Sequence, residues 1–412
     1  MKLNLALTLA ALILAIAFSL ESRAAQSPND CDEMTIYNYS TAMCEGKAMA
    51  GMPMTMIMAH GNLFVTGDLE EGPRAQNKVA APNMLMADAG TTIGDRNYLN
   101  LDVMLTAERW AFPKQGYPLL LQIGEENEDH EPFLDAQHPH SSPIMGLTLS
   151  DTYSLNATDH IKVFAAPRGA ATDGPTAFMH RPSGEVNPDA PLGHHIGQDV
   201  GHISSSVVGV EYRRNKSNLE FSTFSGQEPE PTKVDLPTYT PDSYAFRFTQ
   251  QLNREIHAMA SAAYVKNPEH DLDHLWRYSL SIYTNTKFLS GWEFHDAFIY
   301  GLVNFYDHAG ALNSFLYEAA LEKEKSTVWG RFEALERTPD ELSITQSNDR
   351  STGRYVELLT LGYTHALVQH NVNIGASVSK DFLPIDYQRD YGGNPLTAKI
   401  FAEVSGHWMN ER

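Results

Sequence analysis

Methionine stands at alternate positions Met52, Met54, Met56 and Met58, and the next alternate position is His60. On an extended chain, alternate side chains share one face, so this segment would present four thioethers and an imidazole together. Soft thioethers suit Cu(I), which imidazole also binds. The same pattern equally serves to fill an irregular apolar contact at the start of a strand. A second set lies in two Pro- and Gly-rich segments: Asp135, His138 and His140 in the first, and His180, His194, His195, Asp199 and His202 in the second. A transition-metal site needs three or four such ligands at about 2 Å, and six imidazoles with two carboxylates exceed that requirement. Local hydrogen bonding that stiffens the loops is the alternative reading. The 2 cysteines, Cys31 and Cys44, read as one disulfide in an oxidising compartment, or as a pair of metal ligands.

Other chemistries find little support. No Gly-x-Ser-x-Gly elbow, His-Glu-x-x-His pair or phosphate-binding Gly loop is present, so a barrel-embedded hydrolase ranks last, and neither enzyme activity nor a catalytic residue is expected. With 30 Lys+Arg against 51 Asp+Glu and a net charge of −21, a nucleic-acid partner is excluded.

The elements that must position these residues begin with an exported N-terminus. Lys2, an apolar stretch over 3–20 and the small residues Ala24 and Ala25 read as a signal peptide over 1–24; an uncleaved anchor is the alternative. Cleavage leaves 28 basic and 50 acidic residues, a net charge of −22. Cys31 follows Pro28, Asn29 and Asp30, which is no lipid-attachment context.

Beyond residue 20 no run of 18 apolar residues appears, so the mature chain does not cross a membrane as an apolar helix. A β-barrel remains open, because lipid-facing and lumen-facing residues alternate and keep hydropathy low. Mean hydropathy is −0.33 although Tyr 18, Phe 18 and Trp 5 are present, as aromatic girdles would require. Residues 98–105, 221–224, 244–248, 280–283 and 372–378 alternate as strands, and 313–325 reads as a hairpin. Short polar turns are expected at 156–159, 214–218, 253–255, 289–291, 322–325 and 369–371, recurring every ~35 to 45 residues from 215 onward, about two membrane strands plus a loop. Long Pro-, Gly-, Asp- and His-rich segments separate them at 125–142, 167–201, 226–241, 267–273, 338–353 and 381–395.

Four ordered elements carry a resemblance. GYPLLLQIGE (116–125), LDAQHPH (134–140), PTAFMHRPSG (175–184) and Gly193-His194-His195 with Asp199 and His202 resemble proteobacterial outer-membrane β-barrel proteins associated with copper-resistance loci and carrying a Met/His-rich N-terminus. FSGQEP (224–229) is similar to a further element of that family. The resemblance runs from about residue 59 to 399 and implies outer-membrane location, a barrel fold and a copper association. Ser141 and Ser142 stand where the family has Asp-Leu, so no carboxylate ligand is expected there, and Trp408 is the aromatic nearest the C-terminus.

The sequence therefore predicts an all-β, antiparallel transmembrane barrel of about 14–16 strands, with long loops on one side and short turns on the other. Residues 1–24 form the signal peptide, 25–59 a Cys- and Met-rich extension, and 60–412 the barrel. The expected function is a channel-like or copper-associated protein of a Gram-negative outer membrane, with lipid and metal ions or small solutes as partners and copper as the possible cofactor. Asp102, Glu220, Arg247 and Glu318 are expected to line the lumen. A soluble periplasmic metal-binding protein is the alternative.

Overall fold

The computed structural model describes residues 28–411 apart from 29, 33, 128, 130, 141, 269–272, 306–309, 346, 348 and 369–370. The expected signal peptide therefore lies outside the described residues.

A short hairpin, β1 (Thr35–Asn38) and β2 (Met43–Gly46), precedes β3 (Thr55–Glu70). Next, β4 (Val79–Ala80) and β5 (Asn83–Ile93) lie one after the other along β3, and β6 (Asn97–Leu105) pairs with β5. A separate hairpin is formed by β7 (Tyr117–Glu126) and β8 (Pro132–Gln137). The wall continues through β9 (Ile144–Ser154), β10 (Asp159–Gly169), β11 (Ser204–Arg214), β12 (Ser217–Ser225), β13 (Ser243–Gln251), β14 (Ile256–Lys266) and β15 (His274–Lys287). It closes through β16 (Glu293–Phe305), β17 (Ala311–Lys323), β18 (Ser326–Arg337), β19 (Arg354–Val368), β20 (Val372–Phe382) and β21 (Leu396–Glu411), which pairs back onto β3. With β4 and β5 counted as one, the barrel is closed, antiparallel and 16-stranded.

Alternation explains the wall. On β15, Arg277, Ser279 and Ser281 face the lumen, while Leu280 and Ile282 are 56% and 48% exposed on the outside. Polar residues inside and apolar residues outside invert a soluble protein and suit a hydrocarbon surround, which sets aside the soluble alternative. Short turns and both ends of the wall lie at one rim, the periplasmic one by the usual arrangement of such barrels; the long loops lie at the other.

Two expectations need correction. Residues 313–325 form no hairpin: β17 pairs along its length with both neighbours, its alternation is unbroken, and only Glu324 and Lys325 turn the chain. The wall starts at Thr55 rather than residue 60, because Met56 and Met58 already have register partners on β5 and β21.

The lumen is filled by three inserted segments. Residues 170–203, between β10 and β11, cross it and bind its walls: Thr172 N donates to Ser222 Oγ at 2.9 Å, Gly174 N to Ser261 Oγ at 2.9 Å and Leu192 N to Glu333 Oε2 at 2.7 Å. Arg181, fully buried, pairs with Glu318 at 2.6 Å, and Arg331 approaches the same carboxylate at 3.1 Å. The β1–β2 hairpin, joined by the Cys31–Cys44 disulfide, enters from the periplasmic rim, where Arg213 donates to Tyr37 O at 2.7 Å and Lys162 pairs with Glu45 at 2.7 Å. The β7–β8 hairpin packs at the outer rim: Asp135 accepts from Leu121 N at 2.8 Å and from Tyr391 OH at 2.7 Å, and pairs with Arg74 at 3.2 Å. Leu119, Leu120 and Leu121 join Leu192 and Ile196 of the crossing segment in one apolar core.

Candidate metal centre

Five imidazoles line one cavity of about 40 Å³ beneath the outer rim: His138 and His140 follow the β7–β8 hairpin, and His194, His195 and His202 end the crossing segment. A water needs roughly 10–15 Å³ by this measure, so the space suits an ion with one or two waters. Ligand atoms of His138, His194 and His195 lie within 4.8 Å of one another, as do those of His194, Asp199 and His202, so His194 belongs to both groups.

The Nδ1 side of four rings is turned toward an acceptor. His140 Nδ1 lies 2.7 Å from Glu108 Oε2, His202 Nδ1 2.6 Å from Asp199 O, His195 Nδ1 3.5 Å from Glu228 Oε2 and His138 Nδ1 3.5 Å from Pro139 O. Metal-binding histidines commonly use one nitrogen this way, which orients the ring and frees the other nitrogen to bind metal. His195 Nε2 and His202 Nε2 are buried without hydrogen-bond partners. His194 Nδ1 stands 3.7 Å from Asp199 Oδ2, within ion-pair reach but beyond hydrogen-bond length.

Burial, reinforced by neighbouring imidazoles, holds His138 well below the usual histidine range. Burial also lowers His194, and takes His202 down to about 4 against the opposing pull of Asp199. These rings are thus neutral at neutral pH, the form that binds metal. Burial alone would raise Asp199, but His202, His194 and Arg181 outweigh it and hold the carboxyl well below its ordinary range. For Glu228 too, burial is outweighed, by His195 and Arg277, which hold it down at about 2. Anionic carboxylates therefore surround neutral imidazoles, an environment that favours a cation.

Local backbone makes room for this packing. Gly124 has φ +142, and a Cβ there would lie 2.4 Å from His195 Nε2. Gly197 turns the chain after the paired histidines with φ +69, its Cβ position 3.0 Å from Tyr278 O on the wall.

The methionine series behaves as its spacing predicts, with one exception. Met54, Met56 and Met58 are buried on the lumen face and pack with Met43, while Met52 is 52% exposed and lies outside the cluster. The isolated bridge Met49–Met52 turns the chain before the strand begins, which breaks the alternation there. His60 and His180 do not join the five-histidine cavity; their rings meet edge-on at 6.0 Å, with His407 6.5 Å from His60. Burial lowers His180 to about 4.

Of the residues singled out as candidate ligands, His138, His140, His194, His195, Asp199 and His202 converge, whereas Asp135 holds the β7–β8 hairpin in place. The predicted lumen charges face inward, yet serve the filling: Glu220 pairs with Arg247 at 2.6 Å, Glu318 holds Arg181, and Asp102 lines a cavity of about 110 Å³ beside the β1–β2 hairpin. Glu108 and His407 were missed; nothing near either in sequence points to a site. Glu228 lies in the FSGQEP element, where the resemblance offered a signal.

No sequence family and no curated protein matches the chain. Among solved structures, Salmonella typhi OmpF in complex with daunomycin is similar at a TM-score of 0.50 with 8% identity, covering 84% of this chain and 97% of that one. A loop-deletion mutant of OmpT, an outer membrane protein of Vibrio cholerae, has a TM-score of 0.49 with 10% identity over 86% of this chain and 99% of that one. The chain has the outer-membrane β-barrel fold. The rest of its function must come from what fills the lumen.

Proposed function

We propose that this protein is a metal-handling barrel of the outer membrane, with a nitrogen-rich metal centre at His138, His140, His194, His195 and His202 and copper as the metal. The observation that carries the reading is the convergence of five imidazoles from two separate loops on one cavity, with acceptors behind four of the rings. Imidazole donors with carboxylates behind them suit Cu(II) and Zn(II), and the thioethers of Met54, Met56 and Met58 suit Cu(I). The resemblance to barrels associated with copper-resistance loci points the same way. Calorimetric titration of detergent-solubilised protein with Cu(II) and Zn(II) tests it: saturable binding lost in a variant with His138, His194 and His202 changed to Ala is expected, and equal binding by both proteins would overturn the reading.

The filled lumen argues for metal handling over a freely open solute channel. Planar-bilayer recording of the wild type is expected to show no steady conductance steps; large, sustained steps would restore the channel.

A further inference from the structure

The His centre and the Met cluster lie toward opposite rims, and the residues between them are not ordinary lumen polar groups. Entering and along β3, Met54, Met56, Met58 and His60 are buried at every second residue, about 6.6 Å from one to the next on an extended chain. His60 is 1% exposed, and its Nδ1 has no hydrogen-bond partner. Its ring meets that of His180 on the crossing segment at 6.0 Å. His180 in turn lines the cavity of about 110 Å³ that His202 also lines. His202 lies 5.4 Å from His194 and 5.6 Å from His140, inside the metal centre.

The wall beside this file is soft as well. His407, His60, Met86 and Met104 are successive register partners on β21, β3, β5 and β6, all facing inward. Met145 and Met179 pack against Met86 and Met104. Core packing alone would be met by Leu or Ile, which specify a core better than the flexible thioether. Lumen-facing positions of barrels are usually polar. Thioethers on four adjacent elements, beside a buried imidazole nitrogen with no partner, match a soft cation instead.

We propose that these residues form a relay in which a soft monovalent cation of the Cu(I) or Ag(I) class passes between the His centre and the periplasmic rim, through His180, His60, Met58, Met56 and Met54. The relay rests on the proposed metal centre as its outer terminus. Each transfer exchanges one neutral donor for the next and involves no electron transfer, so the ion keeps its charge and no oxidant or reductant is needed. Neighbours about 6–7 Å apart along β3 and between His60 and His180, with His180 and His202 lining one cavity, let a two- or three-coordinate ion keep one ligand while gaining another, given side-chain rotation of the flexible thioethers.

The test uses the full protein in phosphatidylcholine vesicles that enclose an Ag(I)-responsive dye, with Ag(I) added outside. Silver entry above that of protein-free vesicles is expected, falling at least tenfold in M56L/M58L and in H180Q. Leu is near in volume to Met, so M56L/M58L is expected to fold, which unchanged Zn(II) affinity at the His centre and unchanged heat-modifiable gel migration would verify. Wild-type entry no faster than in protein-free vesicles, or entry at the wild-type rate in both folded variants, overturns the relay. Loss of Zn(II) binding in the wild type would instead overturn the metal centre, so the two failures are told apart.

Discussion

The two ligand-rich regions of the lumen are built in opposite ways. The His centre is assembled from loops: its five imidazoles come from the segments before β9 and before β11, and they meet because Arg181, Leu192 and neighbouring groups fasten the crossing segment to the wall. The Met cluster is built largely on the wall itself, with Met56 and Met58 fixed by the register of β3 against β5 and β21. Carboxylates back the first region; the core of the second is thioether packed on thioether. One barrel thus keeps an anion-backed imidazole cluster apart from an uncharged thioether cluster, the first assembled from loops and the second anchored on the wall with Met43 of the β1–β2 hairpin packed against it.

This difference predicts unequal responses to mutation. The largest effect is expected from Glu318→Ala, which leaves Arg181 and Arg331 buried without their shared carboxylate. Breaking a buried pair in this way costs about 3–5 kcal/mol. Denaturant unfolding in micelles should register that loss, and Zn(II) titration should show the His centre abolished while Ag(I) binding at the Met cluster persists. Equal loss at both regions would break the comparison.

A smaller and more local effect is expected at His194, the residue common to both ligand groups. His194→Ala should weaken Zn(II) binding by about 100-fold or more, given that even outer partners of metal ligands contribute 10–100-fold. Retention of wild-type affinity would show that the two groups do not act as one centre. Glu108→Gln tests the carboxylate behind His140. It keeps the shape of the side chain and should weaken binding by roughly tenfold, the low end for such a partner. Ag(I) binding should not move.

The smallest effect on stability is expected from M54L/M56L/M58L. Each exchange is near volume-conserving and should cost under about 1.5 kcal/mol, while the Ag(I) isotherm loses its tightest phase. A thermal scan that drops sharply in this variant would assign the methionines to packing.

Much of the fold was legible because its signals are local. Strand alternation such as that around Leu280 and Ile282 follows from having lipid on one side of the wall and the lumen on the other, and closely spaced turns follow from adjacent antiparallel strands. The methionine face over 54–58 was legible for the same reason, since a period of two is all it needs. Met52 misled because a bridge to Met49 ends the extended run, and residues 313–325 misled because polar Asn313 and Ser314 stand inside a strand whose inner face is polar anyway.

The sequence by itself determined the barrel class, the sidedness of turns and loops, and an inventory of imidazoles and thioethers. Only the tertiary structure decided that the long loops fold inward, that His180 parts from the five-histidine cavity to meet His60, and that Glu108 supports His140. The reason is separation along the chain: Arg181 and Glu318, which fasten the crossing segment, lie 137 residues apart. No periodicity records such a pair, because a buried charge is matched by whichever partner the fold brings beside it.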